Sequence, residues 1–214
     1  MESDSFLTLA ASAEAQTREK ASVFLAYAAP VETEEEAREI LAQRGKAMWD
    51  ASHHCSAWKL RSGVSRANDA GEPNGSAGAP ILAAIEGAGL TDCMVIVTRW
   101  YGGTKLGVGG LVRAYGDAAA QALAAAPRRT GTRAARLSVR YPYAHTAAVM
   151  RVLERAGAAG VEHGYAESGE AGTVAFSVPA SAEETVRDEL REATAGALAP
   201  ERIGNAVLYR NGIG

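Results

Sequence analysis

The chain has 214 residues, is 47% apolar and 22% charged, and carries a formal net charge of −3, the composition of a globular protein of one large or two small domains. No run of about 18 apolar residues occurs, so no transmembrane span is expected, and the start lacks the basic-then-apolar pattern of a signal peptide. Cys55 and Cys93 both sit in apolar runs and read as buried thiols of a cytoplasmic protein rather than as a disulfide.

In chain order, Ser5–Ala10 predicts a short strand and Glu14–Lys20 a polar turn. Ala21–Val31 predicts a strand with Val23, Leu25 and Tyr27 on one parity and Pro30 at its end. Thr33 and Glu36 have capping-box spacing and open a helix to about Lys46, with Ala37, Ile40 and Leu41 as its buried face. Ser52–Leu60 predicts a strand, and Arg61–Ala79, rich in Gly, Ser, Asn, Asp and Pro, a long loop. Pro80 suits the first turn of a helix to Ala88, and Thr91–Thr98 reads as a buried strand. A glycine-rich connector then leads into a helix over Gly110–Ala126.

Pro127–Arg133 reads as a boundary between domains spanning 17–130 and 134–214. Beyond it, strands are expected at Ala135–Tyr141, Gly160–Glu167, Ala171–Val178 and Asn205–Arg210, with a turn around Ser168–Glu170. Helices are expected at His145–Ala156 and from Ser181, again with capping-box spacing to Glu184, to about Ala195. The order β-α-β-β-α-β is the ferredoxin-like arrangement, so the fold class is α+β with two domains.

The connector carries the densest chemistry. Gly102, Gly103, Gly107, Gly109 and Gly110 are interleaved with Arg99, Lys105 and Arg113 and follow Trp100 and Tyr101. Glycine-rich backbone opening a helix aims N–H groups at an anion. No Gly-Lys-Ser/Thr ends it, so it is not a Walker loop. No acid stands about twenty residues on, so it is not a dinucleotide fingerprint. The plainer reading is a sharp turn with a solvated Lys105. Charge is concentrated here: residues 1–98 sum to −6, 99–140 to +7 and 141–214 to −4. Such a block, which includes Arg128 and Arg129, points either to a polyanion or to a linker paired with acidic neighbours.

The loop around Asp69 and Glu72 holds glycines at 71, 75 and 78. Its carboxylates suit a general base or an anchor for Arg99 or Lys105. In His53-His54-Cys55, the two histidines point to opposite faces of a strand. Zinc needs at least three protein ligands, and no third ligand is near, so no metal is expected. No nucleophile elbow occurs, no catalytic residue is assigned, and no cofactor is expected.

Asp-Ala-Gly-Glu-Pro-Asn-Gly-Ser-Ala-Gly-Ala-Pro-Ile-Leu at 69–82 and Val-Thr-Arg-Trp-Tyr-Gly-Gly-Thr-Lys-Leu-Gly-Val-Gly-Gly-Leu-Val-Arg-Ala-Tyr at 97–115 together resemble the signature of the YigZ/IMPACT family. His53-His54-Cys55 and Ser22-Val-Phe24 resemble its other motifs, and the likeness covers about residues 20–126. Departures fall mainly in the first loop. Ala70 replaces a second acid, Asn74 and Ser76 replace Ser and Thr, and Ala79 replaces Arg; Val23 replaces a basic residue in the opening motif. The resemblance implies an N-terminal domain like the second domain of a small-subunit ribosomal protein. It implies a C-terminal ferredoxin-like domain similar to one of elongation factor G. Eukaryotic relatives regulate translation, so the resemblance implies a cytoplasmic, non-enzymatic protein that binds RNA, the ribosome or a translation-associated protein, and no membrane. The expected binding set is the connector residues Arg99 to Arg113 named above, with Asp69, Glu72, His54, Arg128 and Arg129. An enzyme acting on a small anionic substrate between loops 69–80 and 99–110 is the alternative, and an interaction module using Trp100 and Tyr101 a third reading.

Overall fold

The computed structural model describes residues 4–167 and 169–210. The expected turn around Ser168–Glu170 therefore falls partly outside the described residues. The chain divides into two compact units, one of residues 7–130 and one of 131–210 joined by residues 4–6. Among the described residues, no helix is long and apolar enough to cross a membrane.

In the first unit, β2 (Ala13–Glu19), β3 (Ser22–Pro30), β4 (His53–Lys59), β5 (Ser65–Asn68) and β6 (Cys93–Trp100) form an antiparallel sheet in the order β2-β3-β6-β4-β5. Helix α1 (Glu34–Ala47) covers one face; α2 (Gly78–Gly87) and α3 (Val108–Ala125) cover the other. The central β6 is therefore buried on both sides. Val95 and Val97 join Phe24, Ala26, Ile81, Ile85 and Tyr115, whereas Met94 and Ile96 join Trp58 and Ala37. This two-sided burial explains its unbroken apolar run.

Several local expectations are revised. Glu14–Lys20 is not a turn: Ala13–Glu19 pairs with β3 along its whole length, and an edge strand tolerates its alternating polar residues. Val23, Leu25 and Tyr27 share one parity of β3, as expected, and are half-buried; the other parity, Phe24, Ala26 and Ala28, is the fully buried one. The Arg61–Ala79 segment includes β5 and the start of α2. The capping box at α1 is present in modified form. Thr33 Oγ1 accepts from the Glu36 N–H at 3.1 Å, and Glu36 accepts from the Glu32 N–H at 2.8 Å.

In the second unit, β7 (Arg128–Pro142), α4 (Thr146–Arg155), β8 (Ala159–Tyr165), β9 (Ala171–Pro179), α5 (Glu183–Ala193) and β10 (Glu201–Arg210) follow the expected order. The strands lie as β10-β7-β9-β8, and the apolar side of β7 and β9 packs on α4 and α5. The fold is α+β in two units. Residues 128–133 are not a solvated linker but the first part of β7, which is also paired with β1 (Ser5–Leu9). The Ser181 side chain does not cap α5: a short 3-10 turn over Ala180–Ala182 precedes it, and the Ala182 cap makes no side-chain hydrogen bond.

Candidate functional site

Sheet register builds the site. In the first unit, Arg99 on β6 lies opposite Phe24 on β3 and His53 on β4. All three share the face covered by α2 and α3, at the end where the helices leave room. Thr98 lies opposite His54 on the other face, where His54 Nδ1 is 3.1 Å from Thr98 Oγ1. His54 is thus placed away from the residues it was grouped with, and His53 stands in its place. Burial lowers the His54 pKa, so its ring is held neutral there.

Arg99 is 4% exposed. It donates to Glu72 Oε1 at 2.6 Å and to Ser22 Oγ at 3.2 Å, and its guanidinium carbon is 5.4 and 5.3 Å from the Phe24 and Tyr101 ring centroids. Among the described residues, its Nε has no hydrogen-bond partner. The Glu72 side chain, also 4% exposed, accepts from Tyr115 Oη at 2.7 Å. Tyr115 rises from α3, packs edge-on against Phe24 at 5.2 Å, and burial holds its phenol well above the usual range. Arg99 is therefore an internal cation and not a surface contact. An ion pair this deep is strongly coupled, and removing one partner strands the other.

Asp69 shapes the first loop. Its carboxylate accepts from the N–H groups of Gly75, Ala77 and Gly78 at 2.8, 2.9 and 2.8 Å. Burial opposes its ionisation, but the three backbone donors together outweigh burial and lower its pKa. Cys55 donates to the Asp69 carbonyl at 3.0 Å. Burial pushes Cys55 and Cys93 up to about 12, so neither thiol is a ready nucleophile.

The second loop crosses β3 closely. A Cβ on Gly102 would lie 2.0 Å from the Ala21 carbonyl oxygen, so no side chain fits there. The Tyr101 and Gly102 N–H groups donate to Ser52 and Ser22 at 3.0 and 3.3 Å. Trp100 and Tyr101 are held differently: Trp100 Nε1 donates to Asp50 at 3.0 Å, while Tyr101 is 45% exposed. Gly103 and Lys105 are exposed. Gly107 caps α3 at φ +73°, and Gly109 and Gly110 form its first turn.

Between the loops lies a cleft of about 520 Å³, within the size range of small-ligand sites. His53, Glu72 and Arg99 form its polar floor; Leu106, Val108 and Leu111 form an apolar wall. Tyr101 and Lys105 also line it. Arg113 and Arg128 are exposed, Arg129 is half-buried, and none of the three borders it. Sequence reasoning missed His53, Ser22, Tyr115 and the Leu106–Leu111 wall. Parity alone separates His53 from His54, but only the β4–β6 register says which of them meets Arg99.

The Impact N-terminal domain family matches residues 20–123, which contain both loops. The chain is 39% identical over 121 residues to IMPACT family member YvyE of Bacillus subtilis, covering 56% of each protein. It is 50% identical over 107 residues to an IMPACT family member in the pol 5'region of Thermus thermophilus, covering 50% of this chain and 58% of that one. Residues 20–123 thus form an Impact N-terminal domain shared with these relatives, and the chain spans about half the length of the curated relatives it matches. A crystal structure described as that of a hypothetical protein superposes with a TM-score of 0.68 at 27% identity, over 94% of this chain and 98% of that one.

Proposed function

We propose that this chain is a non-enzymatic, translation-associated protein that binds single-stranded RNA at the cleft between the 69–77 and 101–107 loops. The observation that carries this reading is the joint presence in one cleft of an exposed aromatic ring, Tyr101, a cation, Lys105, and an apolar wall. Single-stranded RNA is held by stacking bases on aromatic faces and by neutralising phosphates. The N-terminal end of α3 supports the same reading, because Gly107 and Val108 line the cleft together with Lys105. The shared Impact N-terminal domain supports the association with translation. The basic contribution is narrower than the charge count alone implies, since Arg99 is taken up by Glu72 and Arg136 pairs with Glu162 at 2.9 Å.

The test is fluorescence anisotropy with labelled mixed-sequence RNA across a salt series. Binding is expected to weaken steeply with salt, and Lys105→Glu with Arg113→Glu to weaken it further. Both positions are exposed, so the fold is kept. No association with RNA or ribosomes at low salt defeats the reading. An enzyme acting on a small anionic substrate is the second reading, favoured by the cleft beside Glu72 and His53. Turnover of a phosphorylated or carboxylated compound, lost in His53→Ala, would establish it.

A further inference from the structure

The floor of the cleft has an uneven hydrogen-bonding pattern. Glu72 Oε1 accepts from both Arg99 and Tyr115. Among the described residues, Glu72 Oε2 has no hydrogen-bond partner. His53 Nδ1 lies 2.9 Å from the carbonyl oxygen of Ala70. A carbonyl only accepts, so Nδ1 donates, and the neutral form of the ring presents Nε2 as an acceptor. Nε2 is 3.8 Å from Glu72 Oε1, too far for a hydrogen bond. The floor thus offers two neighbouring acceptors, one on a side chain that is 4% exposed. Both residues line the cleft, where the donors of a ligand can meet them.

The four RNA bases differ in what they can give. Guanine presents two adjacent donors, its N1–H and its N2 amine, on the Watson–Crick edge. Adenine and cytosine each set a ring acceptor beside the amine, and uracil sets its one N–H between two carbonyls. Only guanine meets two neighbouring acceptors without placing an acceptor against one of them. We infer that the cleft reads guanine: Glu72 Oε2 and His53 Nε2 accept from the base edge, Tyr101 stacks on the ring, and Lys105 takes the phosphate. The inference rests on the RNA reading for the source of the base. A free guanine nucleotide carries the same edge.

The experiment uses the full chain and labelled seven-nucleotide uridine RNAs with a single central G, A, C or U. GMP and AMP are titrated separately by calorimetry. The G-containing RNA is expected to bind about tenfold tighter than the others. Glu72→Gln turns an acceptor into a donor and is expected to erase that preference. Because Glu72 also holds Arg99, a second variant guards against misfolding. His53→Asn removes the Nε2 acceptor at a half-buried position and is expected to lower the preference severalfold. RNA binding with no preference for G overturns the guanine assignment and leaves the RNA reading standing. GMP binding without RNA binding supports the site and overturns the RNA reading. Binding of neither overturns both.

Discussion

The two loops that border the cleft are held in opposite ways. The first is wound around its own polar groups. Asp69 gathers three backbone N–H groups, Asn68 Oδ1 accepts from the Ala70 N–H at 2.8 Å, and Ser76 Oγ donates to the Pro73 carbonyl at 2.6 Å. The second is fastened at its start through Ser22 and Ser52, and at Lys105 by a single 3.2 Å contact from Lys20 to the carbonyl. Residues 101–105 between these points are exposed. The difference assigns the loops different work. A pinned loop can hold an acceptor such as Glu72 at a fixed position. A loop tied only at its ends can bring Tyr101 and Lys105 onto ligands of varying shape.

The largest effect expected from this contrast comes from removing the contact that fixes the first loop to the sheet. Glu72→Ala strands the buried Arg99, whose Nε already has no hydrogen-bond partner among the described residues, and is expected to cost about 3–5 kcal/mol. Urea unfolding measures it. Replacing both partners, Glu72→Met with Arg99→Met, is expected to recover much of the loss, because no charge is then left buried. A loss below about 1 kcal/mol for Glu72→Ala would show that the first loop is not fixed in this way. By comparison, the second loop's Lys105 is exposed.

A smaller effect is expected at Asp69, within the same loop. Asp69→Asn removes a charge and sets an amide against one of the backbone donors, at a cost of about 1–2 kcal/mol. Because the folded pKa of Asp69 is lowered, its contribution is fully present above the unfolded value of about 3.9. It is lost as pH falls through the folded value. The stability gap between wild type and variant is therefore expected to narrow as pH falls below about 4. A gap that is constant with pH would mean that the three hydrogen bonds do not depend on the charge.

Much of this arrangement was legible in the residues. The capping spacing at Thr33, the consecutive apolar residues of β6 and the turn-rich stretch after Arg61 each follow from local chemistry, and the helix and strand order of the second unit followed from periodicity. What the residues did not carry was register. Whether Phe24 or Val23 faces the core, and whether His53 or His54 meets Arg99, depends on pairing between strands far apart in the chain. Charge counting failed for the same reason. Arg99 adds to a basic block in the sequence, yet the fold places it against Glu72, 27 positions earlier. The polar edge strand β2 was missed because its neighbour β3, not its own sequence, makes it a strand.

The smallest effect separates the loops by their backbones. Ala70 sits at φ +46°, the left-handed region that costs a residue with a Cβ about 1–2 kcal/mol. The strain is retained because the Ala70 carbonyl accepts from His53 and its N–H donates to Asn68. Ala70→Gly keeps both bonds and relieves the strain, while glycine's greater freedom when unfolded offsets about 0.5–1 kcal/mol of the gain. The net expectation is a slight rise in thermal midpoint. The same change at Thr104, in the second loop and without a positive φ, has no strain to relieve and is expected to lower the midpoint slightly. Paired melting curves of the two variants check this. Equal responses would mean that the first loop is no more constrained than the second, and the contrast between a pinned acceptor and an adjustable arm would fail.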